Sequence, residues 1–149
     1  MEDGQKIDLG NRELEVIYTP GHNSSCITLL DEQSGLLFTG DTWYPGPLYA
    51  FDETSSMPAY LESMRKIENV IREKNIRWFY CSHNAILPDT EPVFETTDLL
   101  EDVINGKLIY TVEDDLRFYE LNELISIYVS EEALSDFDNQ EFGQEPQAA

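Results

Sequence analysis

Three candidate metal ligands stand just beyond the ends of short apolar strands, and this arrangement constrains the fold more than any other feature. His22 follows a strand and a Thr-Pro-Gly turn, Asp41 follows the apolar run 36–40, and His83 follows the run 78–81. A rigid sheet can bring together side chains that lie just beyond the ends of its strands. The sequence therefore predicts a site assembled on a sheet from residues that are far apart in the chain.

The chemistry of these residues is suited to a transition metal. Two neutral imidazoles and a carboxylate favour zinc, with iron or manganese as alternatives. Such an ion makes hydroxide available near neutral pH and polarises a carbonyl or phosphoryl oxygen. Taken singly, each position has a plainer interpretation, because a histidine after a strand is often a surface residue and Gly-Asp often forms a turn or a helix cap. The combination of all three carries the metal hypothesis.

The three motifs resemble a known set. The motifs are Thr19-Pro20-Gly21-His22, Leu37-Phe38-Thr39-Gly40-Asp41 and Cys81-Ser82-His83. The spacing is 19 residues from His22 to Asp41 and 42 from Asp41 to His83. In sequence and spacing they resemble the last three metal motifs of the metallo-β-lactamase superfamily, and the resemblance covers roughly residues 3 to 112. The resemblance implies an α/β fold, the C-terminal half of an αββα sandwich, with a mixed sheet and two helices on one face. It also implies that His22 binds a first metal, His83 a second, and that Asp41 bridges both.

The sequence departs from that family at its N-terminal motif. The H-x-H-x-D-H sequence is absent, and the chain has only two histidines. Each implied metal keeps two ligands, fewer than the three protein ligands of a usual catalytic zinc site. One sheet is also expected to lack a partner on its inner face. We therefore expect a fragment of a longer polypeptide, a chain that pairs with a separate N-terminal half or with itself, or, last in order, a chain that folds alone.

Hydrophobic periodicity outlines the remaining elements. A helix is predicted over Pro58–Asn75, capped by Ser55 or Ser56, and a second over Pro92–Asn105. Strands are predicted at 13–18, 26–30, 35–39, 77–81, 108–112, 116–121 and 124–129, and an irregular loop at 42–57. Residues 1–130 are predicted to form one domain. The acidic segment 131–149 is predicted to be a disordered tail.

Aromatic and apolar residues that follow Asp41 suggest a substrate pocket. These are Trp43, Tyr44, Leu48 and Tyr49, and they favour an apolar acyl or aromatic group on a small-molecule substrate. The alternative is that they cover an edge of the core. The resemblance implies a metal-dependent hydrolase of an ester, thioester or lactone. A non-catalytic remnant that acts as a binding module, and a metal-carrying acidic protein of other ancestry, are the competing hypotheses.

The charge balance limits the partners. Nine basic residues against 30 acidic ones give a formal net charge of -21. Such a surface repels phosphate backbones, so nucleic acid and anionic membranes are not expected as partners. The acidic first residues and the absence of a Cys-x-x-Cys spacing lead us to expect a cytoplasmic protein with two reduced cysteines.

Overall fold

The computed structural model describes residues 1–83, 86–87 and 89–135, which form two mixed β-sheets and three helices. The strands are β1 (Lys6–Asp8), β2 (Glu13–Tyr18), β3 (Ile27–Asp31), β4 (Leu36–Gly40), β5 (Gly46–Ala50), β6 (Trp78–Cys81), β7 (Ile86–Leu87), β8 (Thr111–Glu113), β9 (Leu116–Glu120) and β10 (Ile125–Val129). The helices are α1 (Met57–Glu73), α2 (Glu91–Ile104) and the single-turn α3 (Glu131–Leu134).

The number of sheets differs from the prediction. One sheet has the order β1-β2-β3-β4-β6-β7 and the other the order β5-β10-β9-β8, so the single mixed sheet expected from the sequence is wrong. The prediction of an irregular loop at 42–57 is also wrong, because β5 lies within it and pairs in parallel with β10. Pro47 is tolerated there because β5 is an edge strand, where a missing N–H need not break the ladder.

The two longer helices were predicted nearly to their ends. Met64 and Ile67 are fully buried on the apolar face of α1. Ser56 is its N-cap, and the Ser56 hydroxyl accepts a hydrogen bond from the backbone N–H of Ala59 at 3.3 Å. The helix α2 packs against α1 and is followed by Gly106 at a φ of +65°, a usual glycine stop for a helix.

One core joins the two sheets to α1 and α2. The six-stranded sheet presents Leu37 and Phe79 to this core, whereas the neighbouring residues of the same strands point to the opposite face. That opposite face is apolar and half-exposed, with Trp78 42% and Tyr80 36% exposed. We call it the open sheet face; it comprises Leu29, Leu36, Phe38, Trp78 and Tyr80. It agrees with the expectation of a sheet without a partner on one side.

The beginning of the predicted tail is ordered. Residues 131–134 form α3, in which Ala133 is 1% exposed, and the hydroxyl of Ser130 caps it by accepting from the Ala133 N–H at 3.1 Å. This corrects the prediction of a disordered tail for residues 131–135, and the rest of that segment, 136–149, lies outside the described residues. Among the helices that the structure describes, none has the length and apolarity required to span a bilayer.

Candidate metal centre

The parallel pairing of β4 with β6 brings Asp41 and His83 together. The two strands end at the same edge of the sheet, with Gly40 opposite Cys81. Asp41 is the residue after β4, and His83 lies two residues beyond β6. Their side chains meet there, with Nε2 of His83 3.2 Å from Oδ1 of Asp41.

This contact has the spacing of two ligands that share one ion. Oδ1 of Asp41 is buried and makes no hydrogen bond within the described chain, although Nε2 of His83 lies 3.2 Å away. Two ligands of a tetrahedral zinc, each about 2.0–2.2 Å from the metal, are about 3.3 Å apart. The orphaned oxygen and the neighbouring imidazole therefore fit a divalent cation in both chemistry and distance.

His22 sits on a turn that is held against the start of α1. A Cβ at Gly21 would lie 2.3 Å from the Cα of Tyr60, and Gly21 has a φ of +146°, so only glycine fits there. The carbonyl of Gly21 accepts from the Ser56 N–H at 3.0 Å, and the carbonyl of His22 accepts from the Ser55 hydroxyl at 2.6 Å. The backbone on both sides of the imidazole is thereby fixed.

The hydrogen bond of His22 determines which of its nitrogens is available. Nδ1 lies 2.8 Å from the carbonyl oxygen of Tyr49, which can only accept, so in the neutral imidazole Nδ1 carries the proton and Nε2 keeps its lone pair. Metal-binding histidines are commonly oriented by such a second hydrogen bond. Within the described residues, however, no three His, Cys, Asp or Glu side chains lie close enough to hold one ion. The structure brings Asp41 and His83 together and leaves His22 apart, so the three-ligand set remains a prediction.

Buried threonines support the strand ends, and their role was not predicted from the sequence. The hydroxyl of Thr19 lies 2.9 Å from that of Thr42 and 3.2 Å from that of Thr28. The hydroxyl of Thr39 donates to the carbonyl of Trp43 at 2.6 Å. These bonds link the turn before His22 to the segment after Asp41, so the two segments are held in register. The signal available in the sequence was threonine in or beside the motifs of His22 and Asp41.

The predicted pocket residues divide into two pairs. Trp43 and Leu48 are fully buried, and Nε1 of Trp43 donates to the hydroxyl of Thr96 on α2 at 3.1 Å. The prediction that these two side chains line a substrate pocket is wrong, because they fill the core and do not reach solvent. Tyr44 and Tyr49, by contrast, line an open cavity of about 240 Å³ together with two residues that were not assigned to the pocket, Pro47 and His83.

Tyr44 presents a neutral edge to the candidate site. Its ring meets that of His83 edge-on, with the centroids 5.0 Å apart, and its hydroxyl donates to the carbonyl of Pro47. Burial, and then the charges of Tyr49 and Asp41, raise the pKa of Tyr44 to about 12. The phenol therefore remains protonated at neutral pH and adds no negative charge beside Asp41.

Comparison with known protein sequences agrees with the motifs. A family profile described as the metallo-beta-lactamase superfamily matches residues 1–91. The acyl-coenzyme A thioesterase MBLAC2 of Gallus gallus is 31% identical over 71 residues, which are 48% of this chain and 26% of that protein. The hydroxyacylglutathione hydrolase of Chelativorans sp. is 33% identical over 86 residues, 56% of this chain and 31% of that protein. The chain thus spans about a quarter to a third of the length of these relatives.

Solved structures share the fold at low sequence identity. The sec-alkylsulfatase Pisa1 from Pseudomonas sp. superposes with a TM-score of 0.62 at 14% identity, over 71% of this chain and 18% of that one. The archaeal protein ST1585 from Sulfolobus tokodaii gives a TM-score of 0.52 at 21% identity, over 76% of this chain and 42% of that one. The arrangement of strands and helices is therefore similar over about 70% of the chain.

Proposed function

This chain belongs to the metallo-β-lactamase superfamily, and from that premise we propose that it supplies the C-terminal half of a metal-dependent hydrolase of ester, thioester or lactone bonds. The observation that carries the proposal is the 3.2 Å approach of His83 to the orphaned oxygen of Asp41. The names of its relatives, a thioesterase and a hydroxyacylglutathione hydrolase, support thioester chemistry among the three.

Three residues of this chain would hold the metal. Asp41 would offer its carboxylate, and His22 and His83 would each offer one imidazole nitrogen, a donor set that favours zinc and also accepts iron or manganese. A bound divalent ion supplies hydroxide near neutral pH and polarises the carbonyl under attack. The carbonyl of Tyr49 holds His22 in the tautomer that leaves Nε2 available, and Tyr44 flanks the substrate cavity with an uncharged edge.

The remaining ligands would come from an N-terminal half that carries the H-x-H-x-D-H motif. The open sheet face is the surface on which that half would pack, because its residues are apolar and half-exposed and carry no charge. Apolar patches of this kind on soluble domains usually mark an interface. A non-catalytic interaction module would use the same surface, so the surface alone does not separate the two functions. Metal binding distinguishes the hydrolase half from the interaction module.

The first experiment measures metal binding by the chain as it stands. We expect Co²⁺ titration, followed by its d–d absorption and checked by elemental analysis, to show about one equivalent bound per chain. Asp41→Asn and His83→Gln should each weaken the affinity by about tenfold to a hundredfold. Asp98→Asn is the matched control, because Asp98 is an exposed carboxylate on α2 and belongs to neither the candidate metal centre nor the cavity beside it. Equal Co²⁺ affinity in the wild type and in all three variants would contradict a metal centre at Asp41 and His83.

The second experiment restores the missing half. The chain is co-expressed with an N-terminal segment of a related hydroxyacylglutathione hydrolase that carries H-x-H-x-D-H, and hydrolysis of ester, lactone and thioester substrates is assayed. We expect metal-dependent turnover that is lost with Asp41→Asn and kept with Asp98→Asn. A complex that forms and binds metal but turns over none of the three classes would favour the interaction module instead.

A further inference from the structure

Four aromatic side chains form a continuous row across the four-stranded sheet. Tyr49 of β5, Tyr128 of β10 and Phe118 of β9 are direct cross-strand neighbours in the register. The ring centroids of Tyr49 and Tyr128 are 5.8 Å apart, and those of Tyr128 and Phe118 are 4.7 Å apart. Phe51 extends the row beyond β5, with its centroid 5.5 Å from that of Tyr49. We call these four residues the aromatic row.

The aromatic row lies on the side of the sheet that faces away from the core. Residues adjacent to the row in the same strands, Leu48 and Ile127, are fully buried on the core side, whereas Phe51 is 43% exposed and the other members are half-buried. Tyr49 belongs both to the row and to the cavity that contains His83. The row therefore starts at the candidate site and leads away from it across three strands.

Carboxylates border the aromatic row. Oε2 of Glu113 accepts from the Tyr128 hydroxyl at 3.1 Å, and the exposed pair Asp52 and Glu53 follows Phe51 directly. Arg117 is the single basic residue of the four strands. It points to the other face of the sheet, where its guanidinium donates to both carboxylate oxygens of Glu131.

The faces of aromatic rings attract organic cations, and the attraction is stronger where carboxylates stand nearby. We propose that the aromatic row is a binding site for an organic cation of the alkylammonium or quaternary-ammonium class, carried on one arm of the substrate. An arm that lies along the row would place its other end in the cavity beside Asp41 and His83. The same surface repels an anionic arm, because the net charge is -21 and the charged side chains named beside the row are carboxylates.

The assignment of the cation to one arm of the substrate rests on the proposed hydrolase function. Binding of an organic cation to the aromatic row does not depend on that function. It is therefore tested without metal and without turnover. The chain is titrated with benzyltrimethylammonium, with neutral benzyl alcohol and with anionic benzenesulfonate, while the aromatic ¹H–¹³C signals of Tyr and Phe are followed by NMR. We expect the cation to shift the signals of Tyr49, Tyr128 and Phe118 and to bind about fivefold or more tightly than the alcohol. The sulfonate should not bind.

Matched variants separate the row from the rest of the surface. Tyr128→Leu and Glu113→Gln should each weaken cation binding about threefold to tenfold, whereas Tyr128→Phe keeps the ring and should retain most of the affinity. Tyr110→Leu is the control, since Tyr110 is exposed just before β8 and its ring packs under the guanidinium of Arg117, which points to the other face. Equal binding of all three probes, or equal losses in Tyr110→Leu and Tyr128→Leu, would overturn the proposal. Loss of metal binding in the earlier experiment would leave this result unaffected.

Discussion

Nε2 of His83 lies 3.2 Å from Oδ1 of Asp41, although 42 residues separate the two in the chain. The relationship depends on β4 and β6 being parallel neighbours, because only then do residues beyond both strands leave the sheet at one edge. The segment between β4 and β6 forms β5 and α1, which pack into the core on one face of the sheet. The close pair is thus a direct product of the crossover connection.

Replacement of Gly21 should destabilise the protein strongly. A Cβ at this position meets the Cα of Tyr60 at 2.3 Å, and the left-handed φ adds strain, so we expect Gly21→Ala to lower the free energy of unfolding by about 3 kcal/mol or more. Gly106→Ala is the control, because Gly106 also has a positive φ but has open space around it; its cost should be about 1 kcal/mol. Urea denaturation measures both. Similar losses would show that the close approach to Tyr60 has no energetic effect.

The tautomer of His22 is a direct check of the site geometry. We expect ¹⁵N NMR at pH 8 to find the proton on Nδ1, where the carbonyl of Tyr49 accepts it. Neutral histidine in water favours the other tautomer, so the result is not the default. If Nε2 carries the proton instead, His22 is not oriented for metal in the way described.

The stability of the protein should decrease at alkaline pH, in part through Tyr44. Burial raises the pKa of this phenol to about 12, from an unfolded value near 10. Its contribution is therefore complete below pH 10 and is lost as the pH rises from about 10 to about 12, because the unfolded chain ionises first. Chemical denaturation at several pH values should show a less steep decline for Tyr44→Phe. A decline as steep in Tyr44→Phe as in the wild-type protein would contradict the assignment.

Charges introduced on the open sheet face should prevent assembly without unfolding the chain. Trp78→Lys and Tyr80→Lys change side chains that are 42% and 36% exposed, so the stability of the isolated chain should change by less than about 1 kcal/mol. Association with the N-terminal segment, or with a second copy, should be lost in sedimentation velocity experiments, since a lysine would be buried there without a partner. Ile109→Lys is the control, because Ile109 is 95% exposed away from this face. An equal loss of association in all three variants would show only a general effect of the added charge.

Local patterns were sufficient for the helices and for most of the strands. The i, i+3, i+4 spacing of apolar residues in α1 and the serine before it specify a capped amphipathic helix with few alternatives. The strand β5 was missed because its hydrogen bonds come from β10, almost eighty residues later, and its own Gly-Pro composition resembles a loop. Short edge strands of this kind are determined by their partner rather than by their own sequence.

The candidate site, too, could be predicted in part from local sequence and in part only from the tertiary structure. The sequence by itself determined which residue types stand beyond the strand ends, because the motifs at His22, Asp41 and His83 are local and their spacing is characteristic. Only the tertiary structure decided that Asp41 meets His83 while His22 remains apart, and that Trp43 is buried in the core while Tyr49 faces the cavity. The physical reason is that strand order and side-chain direction follow from non-local pairing and packing, which no single segment encodes.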